Sequence, residues 1–60
     1  MENTEYCNKY TNKLDREACN YGYNQELSWN CSTVYNLAEN PCLDGYHKRE
    51  SEDAIQPQYL

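Results

Sequence analysis

Four cysteines, Cys7, Cys19, Cys31 and Cys42, and one histidine, His47, are the residues of this 60-residue chain best suited to chemistry. Successive cysteines stand 12, 12 and 11 positions apart. Structural zinc sites bring their ligands in as close pairs such as Cys-x2-Cys, which make a chelating turn, and this chain has none, so no metal is expected. A catalytic thiolate needs a base beside it in a formed pocket, and a chain this small with a single histidine offers little concavity. His47, next to Lys48 and Arg49, reads as a solvated side chain. Asp15 with Glu17, and Glu52 with Asp53, could pair for acid and base work, but nothing in the sequence desolvates one member to shift its pKa. Asn30-Cys31-Ser32 matches the glycosylation sequon, yet with eight asparagines a chance match is expected and its cysteine is wanted in a helical seam. No enzyme activity and no cofactor are expected, and the cysteines read as structural.

Composition explains why they would be needed. Strong core formers are scarce: Leu14, Leu27, Leu37, Leu43, Leu60, Val34 and Ile55 are seven of the 60 residues, and there is no Phe. Seven tyrosines and Trp29 add apolar area, but their polar ends want water or a partner. One small domain spanning residues 1–60 is all such a chain can build, and a staple is expected. Two disulfides closing long loops would each contribute roughly 2–4 kcal/mol, comparable to the whole stability of such a domain. Ten acids against five bases give a net charge of −5, which argues against direct nucleic-acid binding, where phosphates require Lys and Arg. That charge reads first as solubility and, more sharply, as an acidic surface that competes with nucleic acid for a basic protein.

Periodicity gives two helices. Cys7, Tyr10, Leu14 and Ala18 recur at steps of 3, 4 and 4 and form a stripe opposite Asn8, Asn12 and Arg16, which predicts a helix over about 5–19 begun by Thr4 and Glu5. Gly22 should stop it, within a turn over 20–24. Leu27, Cys31, Val34, Tyr35 and Ala38 mark a second helix over about 25–39, capped by Asn24 and ended by Pro41. Asp44 and Gly45 carry a turn signal, and residues 43–60 read as a loose segment with a short helical piece around Lys48 to Ile55. The fold class is therefore all-α, a small antiparallel helical hairpin stapled by two disulfides. In such a hairpin paired residues share a midpoint: Cys19 with Cys31 centres on 25, and Cys7 with Cys42 on 24.5. That register favours these two bridges, although four cysteines allow three pairings and sequence does not choose among them. A Tyr also follows Cys by four at Cys19/Tyr23, Cys31/Tyr35 and Cys42/Tyr46, but a twelve-residue repeat is too short for a helical solenoid and lacks the alternation of a β-solenoid.

"CNKYTNKLDREAC" and "CSTVYNLAENPC" together resemble the twin-cysteine helical hairpins of the CHCH family, in which each helix carries a cysteine pair and outer and inner pairs are bridged. The likeness covers residues 6–42. Ten residues between the second pair fit the family's range, and eleven between the first pair depart from it. The resemblance implies import into the mitochondrial intermembrane space without a cleaved presequence, oxidation there, and a role as an assembly factor or accessory subunit. It also reconciles disulfides with "MENTEYCNKYTNK", where no apolar run approaches signal or membrane-span length. A secreted domain, or a cytoplasmic chain with free thiols, are the other expectations.

Trp29 is the residue the hairpin does not obviously need. It lies roughly 160° around the helical wheel from Cys31, with Thr33 one turn on and Leu37 two turns on. Trp29, Thr33 and Leu37 are the candidate partner-binding residues, since tryptophan is enriched at interface hot spots. The expected function is a non-enzymatic interaction or assembly protein with a protein partner. The alternatives are a small acidic inhibitor of a host enzyme, with reduced cysteines, and a secreted signalling or toxin peptide.

Overall fold

A computed structural model describes residues 3–25 and 30–55. They build an all-α helical hairpin stapled by two disulfides. A short 3-10 helix, Glu5–Lys9, leads to α1, Lys13–Tyr23; α2, Asn30–Val34, is followed by a 3-10 turn, Asn36–Ala38, and then by the long α3, Glu39–Ile55. The two arms of the hairpin are α1 and α3.

Local chemistry accounts for these boundaries, several of which differ from the expectation. Thr4 does open the first helical piece, its hydroxyl accepting from Tyr6 N. That piece stops at Lys9 because Tyr10 is extended, and Asn12 starts a new helix by accepting from both Leu14 N and Asp15 N. The continuous helix expected over 5–19 is thus two helices joined by a bend. Gly22 does not stop α1 but lies inside it, and the expected turn at 20–24 is mostly helical. Asn24 caps the end of α1, its Nδ2 donating to Asn20 O, rather than beginning the next helix. The helix expected over 25–39 is likewise broken, with Tyr35 at φ −124° and ψ 66° separating α2 from the 3-10 turn. Pro41 lies in the first turn of α3, where a missing N–H forfeits no bond, so it begins the longest helix instead of ending one. Asp44 and Gly45 are consequently helical, and the helical piece expected near Lys48 to Ile55 is the second half of α3.

The bridges are Cys7–Cys19 and Cys31–Cys42, with Cα separations of 5.7 and 5.6 Å. This corrects the register that paired Cys7 with Cys42 and Cys19 with Cys31. The midpoint argument needed two unbroken helices; the bends at 10–12 and at Tyr35 instead fold each short helical piece back onto the longer helix that follows it. Each bridge therefore closes one half of the chain, and neither joins the two halves.

All four cysteines are fully buried, with Ala18 and Ala38, and Tyr21, Tyr35 and Leu43 pack against the cluster of Ala18, Cys31, Ala38 and Cys42. The leucines that sequence marks as core formers are partly outside it: Leu14 is 42% exposed and Leu37 90%. So small a core requires the helices to approach closely, and two buried glycines allow it. A Cβ built on Gly22 would overlap the Cys42 carbonyl oxygen and lie 2.7 Å from its carbon and 3.1 Å from Tyr46 N. One built on Gly45 would overlap the Cys19 carbonyl oxygen and lie 2.8 Å from its carbon and 3.1 Å from Tyr23 N. The α1 and α3 backbones meet directly at this crossing.

Candidate functional site

The densest polar cluster joins the first helical piece to α3. Asp44 accepts from Tyr6 Oη at 2.6 Å and from Tyr10 Oη at 2.5 Å, and Lys9 Nζ lies 2.8 Å from its second oxygen. Lys9 also sits over the Tyr6 ring, 4.0 Å from its centroid. Tyr6 and Lys9 lie in the 3-10 helix and Tyr10 is the extended residue just past its end, and all three reach the one carboxylate that α3 supplies. Partial burial pushes the Asp44 carboxyl up, but hydrogen bonds from Lys9, Tyr10 and Tyr6 together override it and hold the pKa at about 2. Burial first, and the Asp44 carboxylate second, push the Tyr10 hydroxyl up to about 12. The cluster is saturated with its own donors, and it clamps the first helical piece onto α3 rather than offering a reactive group.

Linkage gives this clamp a pH signature. The Asp44 pKa is depressed in the fold, so its contribution is complete above the ordinary value of 3.8 and is lost as pH falls toward about 2. With its side chain 27% exposed, a contribution of about 1–2 kcal/mol is expected after allowing for solvent. Urea unfolding of wild type and Asp44→Asn at pH 5 and pH 2.5 checks it: the stability difference seen at pH 5 should shrink by more than half at pH 2.5, on its way to vanishing below the folded-state pKa.

A second cluster ties the end of α1 to α3. Tyr23 Oη donates to Glu52 Oε1 at 2.5 Å, and Arg49 Nη1 donates to the Tyr23 carbonyl at 3.3 Å while its guanidinium lies 5.1 Å from the Tyr23 ring centroid. The Tyr23 hydrogen bond holds the Glu52 carboxyl below its usual range. Tyr35 Oη donates to Glu17 Oε2 at 3.2 Å, and burial followed by the Glu17 charge raises the Tyr35 pKa. Buried Asn20 accepts from Thr4 N at 2.9 Å.

The sequence-derived candidates separate on the structure. All four sulfurs are bridged, so none is available as a zinc-binding or nucleophilic thiolate. His47 projects into solvent, its side chain 66% exposed and Nδ1 3.5 Å from Glu50 Oε1. Trp29 lies outside the described residues. Thr33 is exposed near the end of α2, and Leu37 is exposed on the 3-10 turn beyond the break at Tyr35, so they do not share the continuous helical face expected of them. Leu37 is joined in exposure by Val34, at 51%. Sequence reading passed over Asp44 because Asp-Gly suggested a turn; the Tyr6/Lys9/Tyr10 spacing was the signal that a carboxylate was wanted nearby.

Among the described residues no group of three or more His, Cys, Asp and Glu could hold a metal ion, and no helix is long and apolar enough to cross a membrane. The two disulfides are compatible with an oxidising compartment. Comparison with protein-family models, with curated proteins and with solved structures found no match.

Proposed function

We propose that this chain is a non-enzymatic protein-interaction module whose partner contacts the segment closed by Cys31 and Cys42. The observation that carries this reading is Leu37, 90% exposed on a segment anchored from behind by buried Cys31, Ala38 and Cys42. An apolar side chain on a segment tied at both ends has little backbone freedom left to lose on binding, which lowers the entropic cost of association. Thr33 and Val34, also exposed, lie on the same bridge-closed segment, and the net charge of −5 favours a partner with basic residues around an apolar patch.

The pairing within each half bears on where this happens. Twin-cysteine hairpins join their two helices to each other through both bridges, whereas each bridge here stays within one half. With less to support the resemblance that implied the mitochondrial intermembrane space, we favour the secreted alternative. The acidic-inhibitor alternative would keep its cysteines reduced, and the four bridged cysteines weigh toward the first reading.

A photo-crosslinking residue at position 37 should give a discrete adduct in the native compartment that the same residue at exposed Thr11 does not. Leu37→Asp should abolish binding of the captured partner while leaving the melting temperature within about 3 °C of wild type. Equal labelling from both positions, or a large loss of stability in Leu37→Asp, would remove this surface from consideration.

A further inference from the structure

Advancing 23 positions from Cys19, Gly22 and Tyr23 lands on Cys42, Gly45 and Tyr46, so "CNYGY" in α1 recurs as "CLDGY" in α3. The structure sets these two segments against each other reciprocally. The Gly22 Cα faces the Cys42 carbonyl and Tyr46 N, and the Gly45 Cα faces the Cys19 carbonyl and Tyr23 N, at matching distances of 2.7 and 2.8 Å from the carbonyl carbons and 3.1 Å from both nitrogens for the added Cβ. This is the contact pattern of a two-fold crossing between like units.

Two further observations follow the same symmetry. Each half consists of a short helical piece carrying its first cysteine, Cys7 or Cys31, a bend, and a longer helix carrying its second, Cys19 or Cys42, with bridges spanning 12 and 11 positions. In each half the residue before the glycine also reaches across to a tyrosine of the other half's first segment, Tyr10 three residues after Cys7 and Tyr35 four after Cys31. Asp44 accepts from Tyr10 at 2.5 Å, and the Tyr21 ring meets the Tyr35 ring edge-on at a centroid distance of 5.1 Å.

We infer that the chain is two copies of one disulfide-closed helical unit joined in tandem, and that the Cys-x2-Gly-Tyr face of either unit accepts the opposite unit of a second copy of this chain in place of its own. Neither bridge links the units, so the exchange makes and breaks no covalent bond. The crossing, the Asp44 clamp and the tyrosine contact all recur in the exchanged dimer. What decides between monomer and dimer is then the effective concentration set by the connection between the units against the concentration of the protein itself. This inference is independent of the Leu37 surface.

The test shortens that connection. Deleting Glu26, Leu27 and Ser28 leaves one residue between Gln25 and Asn30 and should convert the protein to a dimer of twice the monomer mass by light scattering, with helical circular dichroism retained. Gly45→Ala in the same background should abolish the dimer. A second variant covers failure of the deletion to fold: a protease recognition sequence inserted between Gln25 and Glu26 is cut after folding. The two fragments should separate on non-reducing denaturing electrophoresis, co-elute in native buffer, and exchange with an isotope-labelled cut sample on mixing. A folded monomeric deletion variant overturns the inference, as do cut halves that drift apart or that never exchange partners.

Discussion

Gly22→Ala and Gly45→Ala should each destabilise the protein by about 2–3 kcal/mol, lowering the melting temperature by roughly 15 °C for a chain of this size. The sign is opposite to the usual one, because alanine in place of a helical glycine ordinarily stabilises by about 1 kcal/mol. Here the added methyl would enter the space of a main-chain carbonyl, Cys42 at one site and Cys19 at the other. A side chain could rotate aside, but a carbonyl in the interior of a helix moves only if the helix moves. Thermal melts of both variants beside Ser51→Ala, an exposed position in α3, make the measurement. Ser51→Ala should stay within about 0.5 kcal/mol of wild type. Glycine variants that match it would mean that the two backbones do not meet as described.

Removing one bridge should cost about as much. Closing a loop of a dozen residues gives roughly 3 kcal/mol in the chain-entropy account, so Cys7→Ser with Cys19→Ser, or Cys31→Ser with Cys42→Ser, should each lose that amount, and reduction of both bridges should unfold the domain at 37 °C. The pairing is directly readable. Cleavage after glutamate yields one cysteine per peptide, in 6–17, 18–26, 27–39 and 40–50. Without reduction, mass spectrometry should find 6–17 joined to 18–26 and 27–39 joined to 40–50. Linkage of 6–17 to 40–50 would restore the register read from sequence and remove the two-unit description with it.

The class of fold was legible because scarce core formers, four cysteines and helical spacing all pointed the same way. The helix ends were less so. Thr4 acted as its type suggests, but Asn12, read on the polar face of one continuous helix, starts a helix, and Asn24, read as a start, ends one; both outcomes depend on the bends that bring Cys7 back to Cys19. Pro41 has two opposite meanings, terminator or first-turn residue, and the packing of α3 on α1 selected the second. The bridge pairing failed for the same cause, since a midpoint rule holds only for unbroken arms. The recurrence of Tyr four residues after Cys was seen, but at a twelve-residue period; Cys31/Tyr35 belongs to a different place in the unit than Cys19/Tyr23 and Cys42/Tyr46, and mixing them hid the 23-residue spacing. Of the partner-binding set, Thr33 and Leu37 are exposed as an interaction surface requires, although the break at Tyr35 separates them. Asp44 was missed because its donors, Tyr6, Lys9 and Tyr10, come from more than thirty residues away in sequence.

Among the described residues the fully buried core is four half-cystines and two alanines, which contain very few methyl and methylene groups to hydrate when the chain unfolds. Heat-capacity change on unfolding scales with newly wetted apolar surface, so it should be small for this molecule, even per residue. Its stability curve against temperature is then broad and shallow. Cooling, which weakens apolar burial, takes little from a fold held by two covalent links, and cold denaturation lies far from reach.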